Sequence, residues 1–250
     1  MPVCLITGAS SGIGEALARE YARRGWAVGL IARRKPLMDA LVQELRSKGA
    51  KAAAAAADVT DRAALEAAVQ ALEGELGPCD LMIANAGGDP GISKRLDPEA
   101  IISTMNLNYN GVVYAMGAVL PRMQALKRGS IAVVSSIAHM RGIPRFGAYS
   151  ASKAAVSALC EALRPELAAW GIRLHTINPG FVHTPLTANN KSPMPFVLNV
   201  DDAARRIANA IEAGQAVYTF PFPTRIAMAF ATLLPASLWD RLMGRGFKAK

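Results

Sequence analysis

A glycine-rich turn at the start of the chain is the feature that most constrains its fold. The apolar run Val3–Thr7 is followed by Gly8, Gly12 and Gly14, and then by a helical pattern that extends to about Arg24. Glycines in this context permit a tight turn, a close approach of the backbone to a pyrophosphate, and close packing of a helix on a strand. The helix N-terminus adds N–H groups and the positive end of the helix dipole. We therefore expect a dinucleotide site that includes Gly8, Ser10, Ser11, Gly12, Ile13 and Gly14.

Short apolar runs alternate with amphipathic helical patterns along most of the chain. This alternation predicts parallel strands joined by right-handed crossovers, in a sheet with helices on both faces. A chain of 250 residues with 52% apolar composition can bury such a core in one domain. We therefore predict a single doubly wound α/β domain of the Rossmann type over residues 1–250. The predicted strands are Val3–Thr7, Ala27–Ala32, residues 51–57, Leu81–Ala84, and residues 130–135 and 173–178.

The third of these strands is unusual because residues 51–57 are almost entirely alanine. Intrinsic propensity favours a helix for such a run. The alternation nevertheless needs a strand between the helical pattern that ends near Gly49 and the one that begins near Asp61. We predict a strand.

Charge and cysteine content argue against several other kinds of site. The formal net charge of +9 is compatible with nucleic acid, an anionic membrane surface or a phosphate-rich ligand. The cations are scattered and no nucleic-acid-binding motif accompanies them, so we expect no nucleic-acid partner. Cys4, Cys79 and Cys160 lie far apart without metal-ligand spacing, so we expect neither a disulfide nor a metal. No secretory signal precedes Val3, which favours a cytoplasmic protein.

Two arginines follow the second predicted strand. Arg33 and Arg34 stand where an NAD-binding unit usually places an acid for the ribose hydroxyl. Guanidinium groups pair with a ribose 2′-phosphate through charge-assisted hydrogen bonds, whereas a carboxylate would repel it. The pair predicts NADP(H) rather than NAD(H). The alternative is that both are ordinary surface cations of a basic chain.

A second set of residues can carry a proton transfer. Tyr149 and Lys153 are four positions apart, so a helix places them on one face, about 5–6 Å apart at Cβ. A neighbouring ammonium lowers the pKa of a phenol toward the working range. Ser136, thirteen residues before Tyr149, adds a hydroxyl that can hold a carbonyl oxygen. Taken alone, the pair is equally compatible with a half-buried tyrosine beside a solvated lysine.

With the glycine turn and the spacing of Ser136, Tyr149 and Lys153 together, the chain resembles the short-chain dehydrogenase/reductase family over nearly its whole length. The resemblance implies a parallel sheet of about seven strands. Further motifs stand in the family's order and supply the other residues that would contact the cofactor or the reacting groups. They are Asp58-Val59, Asn85-Ala86-Gly87, Asn108 with Gly111, and Pro179-Gly180 followed by Val182 and Thr184.

The resemblance implies a role for each reacting group. Tyr149 would be the general acid in reduction and the general base in oxidation. Lys153 would lower the pKa of Tyr149 and bind the nicotinamide ribose, so that both residues also contact the cofactor. Ser136 would orient the carbonyl, and Asn108 would hold a water that links Lys153 to solvent. We choose Asn108 over Asn110 because it alone has the family's Asn-x-x-Gly spacing.

The expected substrate side of the site is apolar. It offers no fixed cation for a carboxylate or for coenzyme A, which favours an apolar ketone, aldehyde or secondary alcohol. Residues 184–200 are rich in Pro, Asn and Ser and are predicted to form a mobile lid. The predicted substrate-facing residues are Ile137, Met140, Phe146, Phe181, Leu186, Met194 and Phe196.

Two histidines lie near these motifs. His139 stands in the loop after Ser136, where many members of the resembled family have glycine, and we expect a structural or lid role for it in preference to catalysis. His175 lies in a predicted strand, so we expect a core histidine.

The leading hypothesis is an NADP(H)-dependent oxidoreductase that reduces an apolar carbonyl and can work in reverse on a secondary alcohol. The alternatives are an alcohol dehydrogenase that works mainly in oxidation and a non-catalytic nucleotide-sensing protein with the same fold. The resemblance also implies a homodimer or homotetramer, paired through helices near residues 100–126 and 149–170.

Residues 218–250 form an apolar and basic C-terminal extension. It is too short and too interrupted to span a bilayer. It could lie on an anionic membrane as interfacial helices do, or it could pack over the substrate pocket or a partner subunit. We expect the packing role and keep peripheral membrane contact as the alternative.

Overall fold

One sheet of seven parallel strands forms the centre of the protein. The structure is a computed structural model, and it describes residues 1–89, 97–188 and 194–244. The strand order is β3-β2-β1-β4-β5-β6-β7, which confirms the predicted doubly wound α/β class. The strands are β1 (Val3–Thr7), β2 (Ala27–Ala32), β3 (Ala52–Ala56), β4 (Leu81–Ala84), β5 (Gly129–Val134), β6 (Ile172–Pro179) and β7 (Val217–Phe220).

Helices cover both faces of the sheet. Alternate residues of each strand point to opposite faces, so Leu5 of β1 joins the core under α3, α5 and α6 while Ile6 joins the core under α1, α2 and α7. The helices are α1 (Gly12–Arg23), α2 (Lys35–Ser47), α3 (Arg62–Leu76), α4 (Pro98–Met105), α5 (Gly111–Leu126), α6 (Gly147–Ala169), α7 (Val200–Glu212), α8 (Phe222–Leu233) and α9 (Ala236–Gly244).

The alanine run does form a strand. β3 pairs in parallel with β2, with Ala52 opposite Val28 and Ala56 opposite Ala32. Ala52 and Ala53 are buried between the helices that flank the sheet. Backbone pairing and burial at this edge outweigh the helix propensity of alanine.

The seventh strand is the element that the strand assignments from sequence omit. β7 lies at the start of the predicted C-terminal extension and pairs in parallel with β6, with Val217 opposite Thr176 and Phe220 opposite Pro179. Its sequence is short and is followed by two prolines, at positions 221 and 223, which hide the strand pattern. The pairing partner β6 supplies the hydrogen bonds that make it a strand.

The strand order places one crevice in the middle of the sheet. The chain runs from β1 outward to β2 and β3, and then returns to place β4 on the other side of β1. The loops that leave β1 and β4 therefore diverge, and ligands of doubly wound sheets bind at this point, outside the carboxyl ends of the strands.

The start of α5 packs closely against the loop after β3. A Cβ at Gly111 would lie 2.8 Å from Cγ2 of Val59, and Val59 is buried. The backbone of Gly111 has an ordinary helical φ of −58°. Glycine is therefore required here for space and not for conformation.

We predict that Gly111→Ala lowers the free energy of unfolding by about 1–3 kcal/mol, because overpacking against Val59 outweighs the gain in helix propensity. Gly117→Ala is the matched control, since it lies in the same helix and its added Cβ would meet nothing within 4 Å. That variant should be neutral or more stable by up to about 1 kcal/mol. Denaturant unfolding followed by circular dichroism compares the two, and equal midpoints would contradict the packing argument.

Candidate active site

A cleft of about 310 Å³ opens at the carboxyl ends of the central strands. Of the residues predicted for the site, Gly14 and Asn108 do not line the cleft. The other predicted residues line it, and they are Gly8, Ser10, Ser11, Gly12, Ile13, Arg33, Arg34, Asp58, Val59, Asn85, Ala86, Gly87, Ser136, Tyr149, Lys153, Pro179, Gly180, Val182 and Thr184.

The glycine turn is built by close backbone contacts. Gly8 and Gly12 have φ values of 68° and 59°. Residues with a side chain are strained in this left-handed region, whereas glycine adopts it readily. A Cβ at Gly14 would lie 2.4 Å from the carbonyl oxygen of Gly8, so the first turn of α1 packs directly on the loop. The N-terminal N–H groups of α1 therefore face the cleft, where they can bind an anion.

Thr7 connects this turn to the loop after β4, and the sequence motifs did not single it out. Its hydroxyl accepts hydrogen bonds from the backbone N–H groups of Asn85 and Ala86, each at 3.0 Å. The side chain of Asn85 donates back to the carbonyl oxygen of Thr7 at 3.0 Å. The feature of the sequence that could have indicated this role is that Thr7 is a hydroxyl residue at the end of an otherwise apolar strand.

The two arginines lie at the outer end of the cleft. Arg34 donates from its guanidinium to the hydroxyl of Ser10 at 2.9 Å and to that of Ser11 at 2.6 Å. Arg33 is exposed, and its Nη1 is 3.5 Å from a carboxylate oxygen of Asp58. These groups form a polar, cationic cluster against the glycine turn, with donors suited to a phosphate.

Asp58 stays ionised in this cluster. Burial raises its pKa, but hydrogen bonds from the backbone and hydroxyl of Thr60, together with the charge of Arg33, lower the pKa below its ordinary value on balance. Thr60 donates to Oδ1 at 3.0 Å from its N–H and at 2.8 Å from its hydroxyl.

Ser136, Tyr149 and Lys153 converge at the inner end of the cleft. Ser136 follows β5 and precedes a 3₁₀ turn, Ile137–His139, while Tyr149 and Lys153 lie on the first turns of α6. The Ser136 side chain lies near the Tyr149 hydroxyl and lowers the pKa of the phenol. Nζ of Lys153 lies 5.7 Å from the centroid of the Tyr149 ring and donates to the carbonyl oxygen of Val134 at 2.8 Å.

Burial controls the charges of this pair. It lowers the pKa of Lys153 to about 8 and raises the pKa of Tyr149 above its ordinary value, an effect that the Ser136 side chain opposes. The expectation from sequence was that Lys153 lowers the pKa of Tyr149. The structure differs because desolvation disfavours the charged form of both groups. Tyr149 is therefore a neutral phenol at pH 7, in the form that donates a proton.

Asn108 lies behind Lys153 in a π-helical turn, Asn106–Asn110, between α4 and α5. Its fully buried amide accepts from the N–H of Gly88 and donates to the carbonyl oxygen of Gly88, each at 2.8 Å, and it donates to the hydroxyl of Ser152 at 2.9 Å. A Cβ at Gly87 would lie 3.0 Å from Oδ1 of Asn108 and 3.2 Å from Nζ of Lys153. The Asn108 side chain thus connects the loop after β4 to α6, because its amide forms hydrogen bonds with the backbone of Gly88 and with the hydroxyl of Ser152.

The loop after β6 also lines the cleft. Thr184 approaches the glycine turn, since a Cβ at Gly12 would lie 3.3 Å from its side chain. Thr187, which the sequence analysis did not single out, accepts from the N–H of Thr184 at 3.0 Å and donates to the carbonyl oxygen of Val182 at 2.7 Å. This loop begins the predicted lid, residues 184–200, of which 189–193 lie outside the described residues.

The predicted substrate-facing residues divide by exposure. Leu186 lines the cleft and is exposed, as is Phe196, whereas Ile137 is buried. The remaining members are partly buried, namely Met140, Phe146, Phe181 and Met194. Of the predicted set, Leu186 therefore lines the cleft itself, and the other members do not line it.

The two histidines occupy structural positions. Nδ1 of His139 is 2.6 Å from the carbonyl oxygen of Ser136, within the 3₁₀ turn. His175 is buried in β6 with Nδ1 2.7 Å from the carbonyl oxygen of Gln215, and burial lowers its pKa. The prediction of a core position for His175 is confirmed.

The C-terminal helices are tied to two loops of the cleft. Arg141, in the loop after Ser136, donates to the carbonyl oxygens of Ala231 and Leu234 at the end of α8, and its guanidinium lies 4.8 Å from the ring centroid of Trp239 in α9. At the other end of α8, the side chain of Thr224 lies 3.6 Å from a Cβ placed on Gly180. No sequence motif indicated the contacts of Arg141, because they join residues 90 and 93 positions apart.

Comparison with known proteins agrees with this geometry. Residues 2–195 match the family described as short chain dehydrogenase. An uncharacterized oxidoreductase of Myxococcus xanthus (strain DK1622) is 40% identical over 237 residues, which are 94% of each chain.

Solved structures share the whole architecture. A short-chain dehydrogenase from Sphingobium yanoikuyae in complex with NADPH superposes with a TM-score of 0.80 and 28% identity, covering 100% of this chain and 98% of that one. A 3-ketoacyl-ACP reductase from Sinorhizobium meliloti 1021 also gives a TM-score of 0.80, with 29% identity, covering 88% of this chain and 97% of that one. Since the family match spans the cleft and most of the sheet, the chain belongs to the short-chain dehydrogenase/reductase family of oxidoreductases, which use a nicotinamide cofactor.

Proposed function

We propose that the protein is an NADPH-dependent reductase of an apolar ketone or aldehyde, reversible toward the corresponding alcohol. The observation that carries the proposal is the convergence of Ser136, Tyr149 and Lys153 at the inner end of a cleft whose outer end holds the glycine turn and Arg34. One end offers groups for a phosphorylated dinucleotide, and the other offers a proton donor for a carbonyl oxygen.

The cleft has the features that NADP(H) requires. The α1 N-terminus and the glycine turn would bind the pyrophosphate. Arg33, Arg34 and the hydroxyls of Ser10 and Ser11 would bind the 2′-phosphate. Asp58 and Val59 would contact the adenine, Asn85, Ala86 and Gly87 the central part, and Pro179, Gly180, Val182 and Thr184 the nicotinamide end. When bound, the cofactor supplies the hydride that reaches the carbonyl carbon.

The protein's own residues then manage the proton. Ser136 donates a hydrogen bond to the substrate carbonyl and holds it beside Tyr149. Tyr149, kept neutral by burial, gives its proton to the carbonyl oxygen as negative charge develops there. Lys153 stabilises the resulting phenolate and binds the ribose. Asn108 holds the loop after β4 against α6, and this contact positions Lys153 beside Gly87.

The choice of substrate class rests on the side chains at the mouth of the cleft. Leu186 lines it, and Met140, Phe146 and Phe181 are partly buried apolar groups of the adjoining loops. An apolar carbonyl compound suits these groups better than a carboxylate. The reductase from Sinorhizobium meliloti, which acts on a 3-ketoacyl group by its name, is consistent with reduction as the working direction.

Two other functions are compatible with the same fold. An enzyme that works mainly as an alcohol dehydrogenase would use the same residues, and a preference for NADPH argues against it. A non-catalytic nucleotide sensor would not need Ser136, Tyr149 and Lys153 to meet in the cleft. We also propose a homodimer or homotetramer paired through residues 100–126 and 149–170, which a mass measurement in solution tests.

We predict that Tyr149→Phe lowers kcat for NADPH-dependent carbonyl reduction by about 10²–10⁴-fold, because it removes the proton donor. Binding of NADPH, measured by fluorescence, should change little. Tyr21→Phe is the matched control, since its buried hydroxyl has no hydrogen-bond partner among the described residues and lies outside the cleft. Unchanged turnover by Tyr149→Phe on every carbonyl of a substrate panel would refute the assigned mechanism.

We predict that Arg33→Ala combined with Arg34→Ala weakens NADPH binding by roughly 10- to 100-fold and leaves NADH binding nearly unchanged, because charge-assisted hydrogen bonds to the 2′-phosphate are lost. Lys35→Ala is the control. It removes a cation from the next position, where Lys35 pairs with Asp39 at 2.6 Å. Titrations with both cofactors compare the variants. A parallel loss of affinity for NADH would assign the arginines to general cofactor binding and contradict NADP selectivity.

We predict that kcat/KM for reduction falls as pH rises through about 8, the pKa of Lys153 in its buried site. Lys153 is charged below this pKa and neutral above it, so its support for the developing phenolate is lost on the alkaline side. Tyr149, with its raised pKa, remains protonated over the same interval. The measurement is a pH profile with circular dichroism as the check on folding, and a profile that stays flat well above pH 8 would contradict the role of Lys153.

A further inference from the structure

Six large apolar side chains are exposed on the last two helices, and together we call them the C-terminal apolar face. On α8 their exposed fractions range from 38% to 79%, which is unusual for side chains this large. The face comprises Phe222, Ile226, Phe230 and Leu233 of α8, and Leu238 and Leu242 of α9.

The spacing on α8 directs these side chains to one side. They recur at intervals of four, four and three positions, which is the repeat of one helix face. Thr224, on the opposite side, is buried against the loop that contains Gly180. The apolar side of α8 therefore points away from Thr224, which is the buried residue of this helix.

Contacts at both ends hold the face in a defined position. Thr224 lies against the loop after β6, and Arg141 binds the last carbonyl oxygens of α8 and packs on Trp239 of α9. The two helices are thus presented as a fixed surface beside the cleft. Thr224 packs against the loop that contains Gly180, whereas Phe222, Ile226, Phe230 and Leu233 stay exposed.

Cations outnumber acids in the segment that carries this face. From residue 213 to residue 250 the sequence has five cations and one acid, Asp240. Arg225 and Arg241 are exposed on α8 and α9, and the final residues add Arg245, Lys248 and Lys250. A twofold contact between two copies would bring the same cations of both together. An anionic surface complements them, and each cation near such a surface adds to binding.

We propose that the C-terminal apolar face docks on the surface of an anionic lipid bilayer. The apolar side chains would enter the boundary between headgroups and acyl chains, while the flanking cations bind lipid phosphates. Within residues 1–89, 97–188 and 194–244, no helix has the length and hydropathy that a bilayer span requires.

The test is co-sedimentation of the full chain with vesicles. Vesicles of phosphatidylcholine with about 30% phosphatidylglycerol should bind the protein, and phosphatidylcholine alone should bind it far less. Raising the salt from about 0.1 M to about 1 M should weaken binding, because the Debye length falls from about 10 Å to about 3 Å. Phe230→Ser with Leu233→Ser should weaken binding roughly tenfold or more, since both side chains lose their insertion into lipid.

Matched variants keep the test decisive. Leu37→Ser removes a leucine that is 47% exposed on α2, away from the C-terminal apolar face and from the proposed pairing helices, and it should bind vesicles like the unaltered protein. Arg225→Gln with Arg241→Gln removes two of the five cations of this segment and should reduce the preference for phosphatidylglycerol. Circular dichroism verifies that each variant is folded, and truncation of side chains this exposed leaves no cavity.

Three results would overturn the proposal. The full chain could remain in the supernatant with anionic vesicles, or the Phe230 and Leu233 variant could bind as well as the unaltered protein. In the third result that variant would change the mass of the protein in solution without any vesicle binding, which would assign the face to contact between copies of this chain.

Discussion

The contact between two backbone turns, at the carboxyl ends of β1 and β4, is the constraint on which the site depends. A Cβ at Gly8 would lie 2.8 Å from Cα of Ala86, so the two loops touch backbone to backbone. Hydrogen bonds between Thr7 and the Asn85-Ala86 backbone hold them at that distance. This contact places the start of α1 at one side of the crevice. On the other side, Gly87 lets Asn108 and Lys153 approach the same loop.

Burial gives the inner end of the cleft its chemistry. Lys153 donates to a backbone carbonyl and lies close to the ring of Tyr149, in surroundings that disfavour charge on either group. The lowered pKa of the lysine and the raised pKa of the tyrosine follow from the same desolvation. The outer end is the opposite case, because Arg33 is exposed to solvent and available to an anion. One cleft therefore combines a desolvated inner end with a solvent-exposed, cationic outer end.

Much of the fold was predictable because the sequence patterns that indicate it each involve only a few neighbouring residues. The glycine turn, the apolar strands β1, β2 and β4, and the spacing of Tyr149 and Lys153 each depend on a few neighbouring residues. The alanine strand β3 was predictable from the alternation of elements, although its propensity favoured a helix. β7 was not, because it becomes a strand only through pairing with β6. Thr7, Arg141 and Thr187 also escaped notice, since their partners are backbone atoms that no side-chain motif identifies.

The sequence by itself determined the class of fold, the family and the residues that meet at the cleft. These follow from periodicity and from motifs in which residue type and spacing carry the physical requirement, such as missing side chains at a turn. The tertiary structure alone decided the pKa directions of Tyr149 and Lys153, the bonding of the Asn108 amide and the outward direction of the apolar side of α8. Those properties depend on burial and on contacts between distant segments, and neither exists until the chain has folded.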